Sequence, residues 1–141
     1  MKAHLLEEVL RLAEAPNCLL LLATTDGAGR PHIAAGGTLS GPDGDVIHLA
    51  EWFCPATVSN LIANRQASLV LWDPVLNEGY QLVCQTRSVE VGMIADGYDP
   101  DMDNDHPMPQ VQRVLDLRVT DILFFRSGAH SDRPEEALVV P

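Results

Sequence analysis

The chain has 141 residues, with 20 acidic side chains against nine basic ones and a formal net charge of −11. That length fits one domain with a sizeable core, while the charge excludes binding to a nucleic-acid backbone by counterion release and disfavours anionic membranes. No apolar run approaches the about 20 residues of a membrane span, and three widely spaced cysteines (Cys18, Cys54, Cys84) fit a reducing cytoplasm better than a disulfide framework or a closed zinc site.

The first 15 residues carry Leu5, Leu6, Val9, Leu10, Leu12 and Ala13 at helical spacing. An amphipathic helix is expected over 3–15, stopped by Pro16-Asn17; its acidic residues Glu7, Glu8 and Glu14 are unlike a secretory leader. Cys18–Thr25 reads as a strand apolar on both faces, and therefore buried on both. Asp26-Gly27-Ala28-Gly29 is a hairpin turn, Arg30–Leu39 the return strand, Gly41-Pro42-Asp43-Gly44 a second turn and Asp45–Ala50 a third strand. A helix is expected over Pro55–Asn64, then strands over Ala67–Trp72 and Tyr80–Val91. Asp96–Pro109 is acidic and Pro-punctuated, hence a surface loop; Gln110–Leu117 is expected helical, Arg118–Arg126 a last strand, and the polar stretch 127–141 a loosely ordered tail. Asp99, Asp101, Asp103 and Asp105 alternate as in a calcium loop, but Asn104 stands where an EF-hand needs glycine and Gln110 where it needs glutamate, so no metal site is expected. Six short strands with tight turns and two or three helices give a mainly β chain: a small antiparallel barrel spanning 18–126 with flanking helices.

Three stretches, LATTDGAGRPHIAAGG, DVIHLAEWFCPATVSNLIANRQASLVLWDP and GYQLVCQTRSVEV, together resemble the FMN-binding split-barrel family, which includes pyridoxamine 5′-phosphate oxidase. The best markers are the strand–hairpin–strand ending in GRPH and the T-x-x-N-L-x-x-N helix, in one uninterrupted order over residues 18–91. The resemblance implies a six-stranded Greek-key split barrel, a homodimer, and FMN at the dimer interface. It implies that His32, Ala34, Ala35, Gly36, Gly37 and Thr38 run along the isoalloxazine ring, with Ala50, Glu51, Trp52 and Phe53 bordering it and Trp52 available to stack. It implies further that the FMN phosphate meets Thr57 and Asn60 at the start of the 57–64 helix.

Elementary physics supports the phosphate end. The first turn of a helix leaves N–H groups unpaired and carries partial positive charge. Thr57 can instead simply cap its own helix. The small residues Ala34 to Gly37 let a flat ligand approach backbone, or else serve a bulge or barrel corner. One departure from the family pattern stands out: Pro55-Ala56-Thr57-Val58 has no cation where relatives carry lysine or arginine. Arg30, Arg65 and Arg87 are the candidate replacements, from this chain or from a partner chain, and each is otherwise an ordinary solvated surface charge. Cys54 is either a reactive thiol or an inert one, and no catalytic acid or base stands out. The expected function is an FMN-dependent oxidoreductase of unknown substrate. The alternatives are a non-catalytic flavin- or haem-binding sensor module on the same barrel, and a reductase using FAD or a deazaflavin.

Overall fold

A computed structural model describes residues 2–51, 55–95 and 110–128. The acidic segment 96–109, the tail from 129, and Trp52, Phe53 and Cys54 lie outside the described residues, as do the calcium-loop aspartates. In chain order the elements are α1 (Lys2–Ala13), β1 (Leu19–Thr25), β2 (Pro31–Ala35), β3 (Thr38–Asp43), β4 (Val46–Glu51), α2 (Pro55–Ala63), β5 (Gln66–Asp73), β6 (Glu78–Ala95) and β7 (Gln110–Phe124). All seven strands form one antiparallel sheet in the order β2-β1-β5-β6-β7-β4-β3.

That order contains the geometric key to the molecule. β2 and β3 stand at opposite edges of the sheet, yet only Gly36 and Gly37 join them. Laid flat, the edges of seven strands would be about 29 Å apart. Three virtual bonds from Ala35 to Thr38 reach at most about 11 Å. The sheet must therefore curl until its two edges meet at this corner, although no ladder closes it. Gly36 and Gly37 hold φ of 104° and 121°, a region that glycine enters freely and other residues do not. A Cβ on Gly37 would lie 2.6 Å from Cδ1 of Leu49, and one on Gly36 would lie 2.5 Å from Oε2 of Glu51.

The mainly β antiparallel architecture agrees with the expectation, with seven strands instead of six because the return strand breaks at this corner. The second correction concerns 110–117, which is strand and not helix. Leu115, Leu117 and Val119 are buried, whereas Asp116 is half-buried and Arg118 and Thr120 are exposed. This is the two-residue period of a strand. β6 on one side and β4 on the other supply its hydrogen bonds, so tertiary pairing overrides local propensity.

The inner face of the curl is the core. Register partners share a face of the sheet, and fully or nearly fully buried side chains run across it: Leu22 opposite Leu69, Leu69 opposite Leu82, and Leu82 opposite Ile122. On the other flank Leu49 lies opposite Leu115 and Ile47 opposite Leu117. α1 contributes Leu6 and Val9, both fully buried, and packs against β3, β5 and β6, so it bridges strands from separate parts of the sheet. α2 packs on β1 and β2 and buries Leu61.

The outer face explains the doubly apolar β1. Leu21 lies opposite Val70 and Ala35, Ala23 opposite Ile33, and Ser68 opposite Val83. Here Leu21, Ala23, Val70 and Val83 are only half-buried, and Ile33 is 65% exposed. Burial on both faces, expected from sequence, is thus met on one face only within the single chain.

Candidate functional site

Two groups of the expected site residues come together, one at each end of β2. The first is the corner. Thr38 lies opposite Ala50, the carboxylate of Glu51 rests against Gly36, and Gly36 N–H donates to the Leu20 carbonyl at 2.9 Å. Ala35, Gly36 and Thr38 are exposed, and no side chain from Ala34 to Thr38 is larger than a threonine. Glu51 also lies opposite Arg113 of β7.

The second group lies where α2 crosses β1 and β2. His32 is opposite Thr24 and Ala34 opposite Leu22. Asn60 is buried, and its Nδ2 donates to Thr24 Oγ1 at 3.1 Å. Asn64, one helical turn later, donates to Thr25 Oγ1 at 2.8 Å and accepts from the Gln66 N–H at 3.0 Å. The two asparagines of T-x-x-N-L-x-x-N therefore stand on one face of α2 and tie it to consecutive threonines of β1. Thr57 is fully buried against the barrel. The motif accordingly has a structural role whatever ligand meets the helix start. Asn60→Ala removes a buried donor and leaves Thr24 short of a partner, which costs about 1–3 kcal/mol. A urea midpoint within error of the parent protein would refute that role.

The three arginines divide. Arg30 is held in the β1–β2 hairpin, where its Nε donates to Asp26 Oδ2 at 2.8 Å. Asp26 also accepts the N–H groups of Ala28 and Arg30, and these bonds, Arg30's backbone N–H foremost, hold its carboxyl below the ordinary range. Arg87 lines a separate cavity with Asp43, Val46, His48, Ser88 and Asp116. Arg65 follows the last turn of α2 and is exposed, about 12 Å along the helix from Thr57. Ala56 is exposed in the first turn, so among the described residues none of these cations shares a turn with Thr57. Burial pushes the Cys84 thiol up to about 12, which leaves it inert, and Cys18 is also raised, chiefly by burial.

Sequence reasoning missed the cavity beside Arg87. His48 Nδ1 lies 2.6 Å from Asp116 Oδ1 and its Nε2 lies 2.8 Å from Asp43 Oδ2. Ser88 Oγ donates to Asp116 Oδ2 at 3.0 Å. The only signal was four polar residues, Asp43, His48, Ser88 and Asp116, on four strands, and they meet only because β6, β7, β4 and β3 become neighbours.

No family model matches the chain, and no curated protein does. Solved structures do. A pyridoxamine 5′-phosphate oxidase-related, FMN-binding protein from Nostoc punctiforme is 12% identical, with 94% of this chain and 91% of that one aligned at a TM-score of 0.60. An FMN-binding protein from Syntrophomonas wolfei is 17% identical over 88% of each chain, at a TM-score of 0.62. An F420 reductase is 18% identical, covering 79% of this chain and 93% of its own, at 0.54. At these identities the likeness establishes a shared fold, the one expected from the sequence resemblance.

Proposed function

We propose, from that shared fold, that this chain is a flavin-binding protein of the pyridoxamine 5′-phosphate oxidase-like class, an FMN-dependent oxidoreductase that works as a cytoplasmic homodimer with the flavin at the interface. The observation that carries the reading is the corner. From Ala34 to Thr38 the backbone is bare or nearly so, and Gly36 and Gly37 sit against Glu51 and Leu49 at positive φ. A flat ring can lie on such backbone and take hydrogen bonds from it. His32 and Thr38 would flank the ring, with Ala50, Glu51, Trp52 and Phe53 at its border; the first amides of α2 would face the phosphate, while Thr57 and Asn60, expected to meet it directly, are buried and seat the helix start behind those amides. The flavin would supply two-electron redox chemistry, and the protein orientation and exclusion of water.

The half-exposed outer face supports the dimer. Leu21, Ala23, Ile33, Val70 and Val83 share this face across β2, β1, β5 and β6, with Ser68 and Gln81 set among them and Gln81 Nε2 donating to Ser68 Oγ at 3.2 Å, and a half-exposed patch of this apolar content is suited to burial against a partner. A second copy is the natural cover, since it brings the same face.

One observation favours the alternative of a non-catalytic flavin- or haem-binding module. A charge-assisted contact to phosphate contributes about 1.5–3 kcal/mol, and with no cation in the first turn of α2 FMN should bind one to two decades more weakly. The purified protein, titrated with FMN while its fluorescence is followed, distinguishes the readings. Saturable quenching, or a yellow protein as isolated, supports the flavoprotein. A colourless protein without measurable FMN affinity sinks it, and parallel titrations with haem and with the F420 deazaflavin then identify the module.

A further inference from the structure

The His48 cluster crosses four neighbouring strands. It runs from Ser88 on β6 through Asp116 on β7 and His48 on β4 to Asp43 on the edge strand β3. Ionised carboxylates accept hydrogen bonds and cannot donate them. His48 has a carboxylate oxygen against each ring nitrogen, so both contacts are satisfied only when both nitrogens carry protons. We propose that this chain of groups is a proton-operated clasp on β3, closed while His48 is an imidazolium and opened on the Asp43 side when one ring proton is lost.

The asymmetry of the two carboxylates decides which contact opens. Asp116 is fixed by the Ser88 hydroxyl, lies closer to the ring, and its side chain is 32% exposed. Asp43 is 80% exposed at the sheet edge, free to turn to water. The strand it belongs to is weakly held there. The β3–β4 ladder breaks register between Ser40 and Asp43, leaving one further rung, Asp43 opposite Val46. Local opening of such an end needs little free energy.

The surrounding charges favour the closed state. The hydrogen bonds that His48 donates to Asp43 and then to Asp116 hold its imidazole above its ordinary value against a smaller effect of burial, and His48, followed by Ser88, holds Asp116 below its own. Arg87 of β6 lines the same cavity and opposes the imidazolium. Asp45, in the turn between β3 and β4, is engaged by Arg118 of β7 at 3.1 Å. No residue of α1 lines the cavity. The sign follows. A histidine raised in the folded state contributes its full stabilisation below its unfolded value, and loses it as pH rises through the folded value. The clasp therefore opens on the alkaline side. β3 begins at Thr38, so it links this device to the corner without depending on any ligand there.

Amide hydrogen exchange over about pH 5–9, corrected for intrinsic exchange, tests the clasp on the same sample in which His48 is titrated by NMR. Protection at 43–46 is expected to fall about threefold or more through the His48 titration, with Leu69 and Leu71 in β5 unchanged. Asp43→Asn removes an exposed charge without touching the core. It should abolish the step and bring His48 back toward its ordinary value. A step-free exchange profile, a step that survives in Asp43→Asn, or a His48 that titrates at or below its ordinary value overturns the proposal.

Discussion

Gly37→Val is expected to lower the thermal midpoint by roughly 10–15 °C. Two costs combine. The backbone there has φ 121°, and a β-branched residue in such a conformation costs about 1–3 kcal/mol. The new Cβ would also lie 2.6 Å from Leu49 Cδ1, and Leu49 is fully buried, so overpacking adds another 1–3 kcal/mol or so. The sum takes much of the roughly 5–15 kcal/mol of a typical domain, and each kcal/mol is worth about 3 °C at this size. Gly27→Ala is the control: nothing lies within 4 Å of its Cβ and its φ is not positive, so it should change the midpoint by no more than about 2 °C. Differential scanning calorimetry of both variants decides. Equal midpoints would mean that the corner yields, and that the two edges of the sheet are not held by its geometry.

Leu21→Glu is expected to convert the proposed dimer to a monomer and to remove flavin binding with it. Leu21 sits in the middle of the apolar outer face, opposite Val70 on one side and Ala35 on the other. Within one chain it is only half-buried, so the glutamate can reach water and the fold should survive with an unchanged far-UV spectrum. Pressed between two copies, an unpaired carboxylate costs several kcal/mol, and 5 kcal/mol is between three and four decades in a dissociation constant. Light scattering at micromolar concentration should halve the mass. A dimer that persists puts the interface elsewhere. A monomer that binds FMN as tightly as the parent places the whole flavin site within one chain.

The sequence by itself determined the local elements of the site. Periodicity marked α1, β1 and α2, turn chemistry marked the β1–β2 hairpin, and the small residues Ala34–Gly37 marked a place of close approach. The missing cation beside Thr57 was visible as a bare fact of composition at 55–58. These features are legible because they depend on neighbours within a few residues: helix caps, tight turns and side-chain size act locally. The second half of β7 falls in the expected strand Arg118–Arg126, while its first half, expected as helix, differs for the complementary reason. Its stretch QVQRVLDL carries a weak local signal, and strand was decided by β4 and β6, which pair with it on both sides.

Only the tertiary structure decided the rest. That Gly36-Gly37 joins opposite edges of a sheet follows from strand order, which no local pattern encodes. Asn60 and Asn64 stood out as a motif, but their attachment to Thr24 and Thr25 spans 36 and 39 residues. His48 and Asp116 are 68 positions apart, and each alone is an unremarkable polar residue on a strand. The outer face of β1 read as core because β1 is apolar on both sides, yet on this face Leu21 and Ala23 are only half-buried within one chain. Burial is a property of the assembled surface, and the chain records only the need for it.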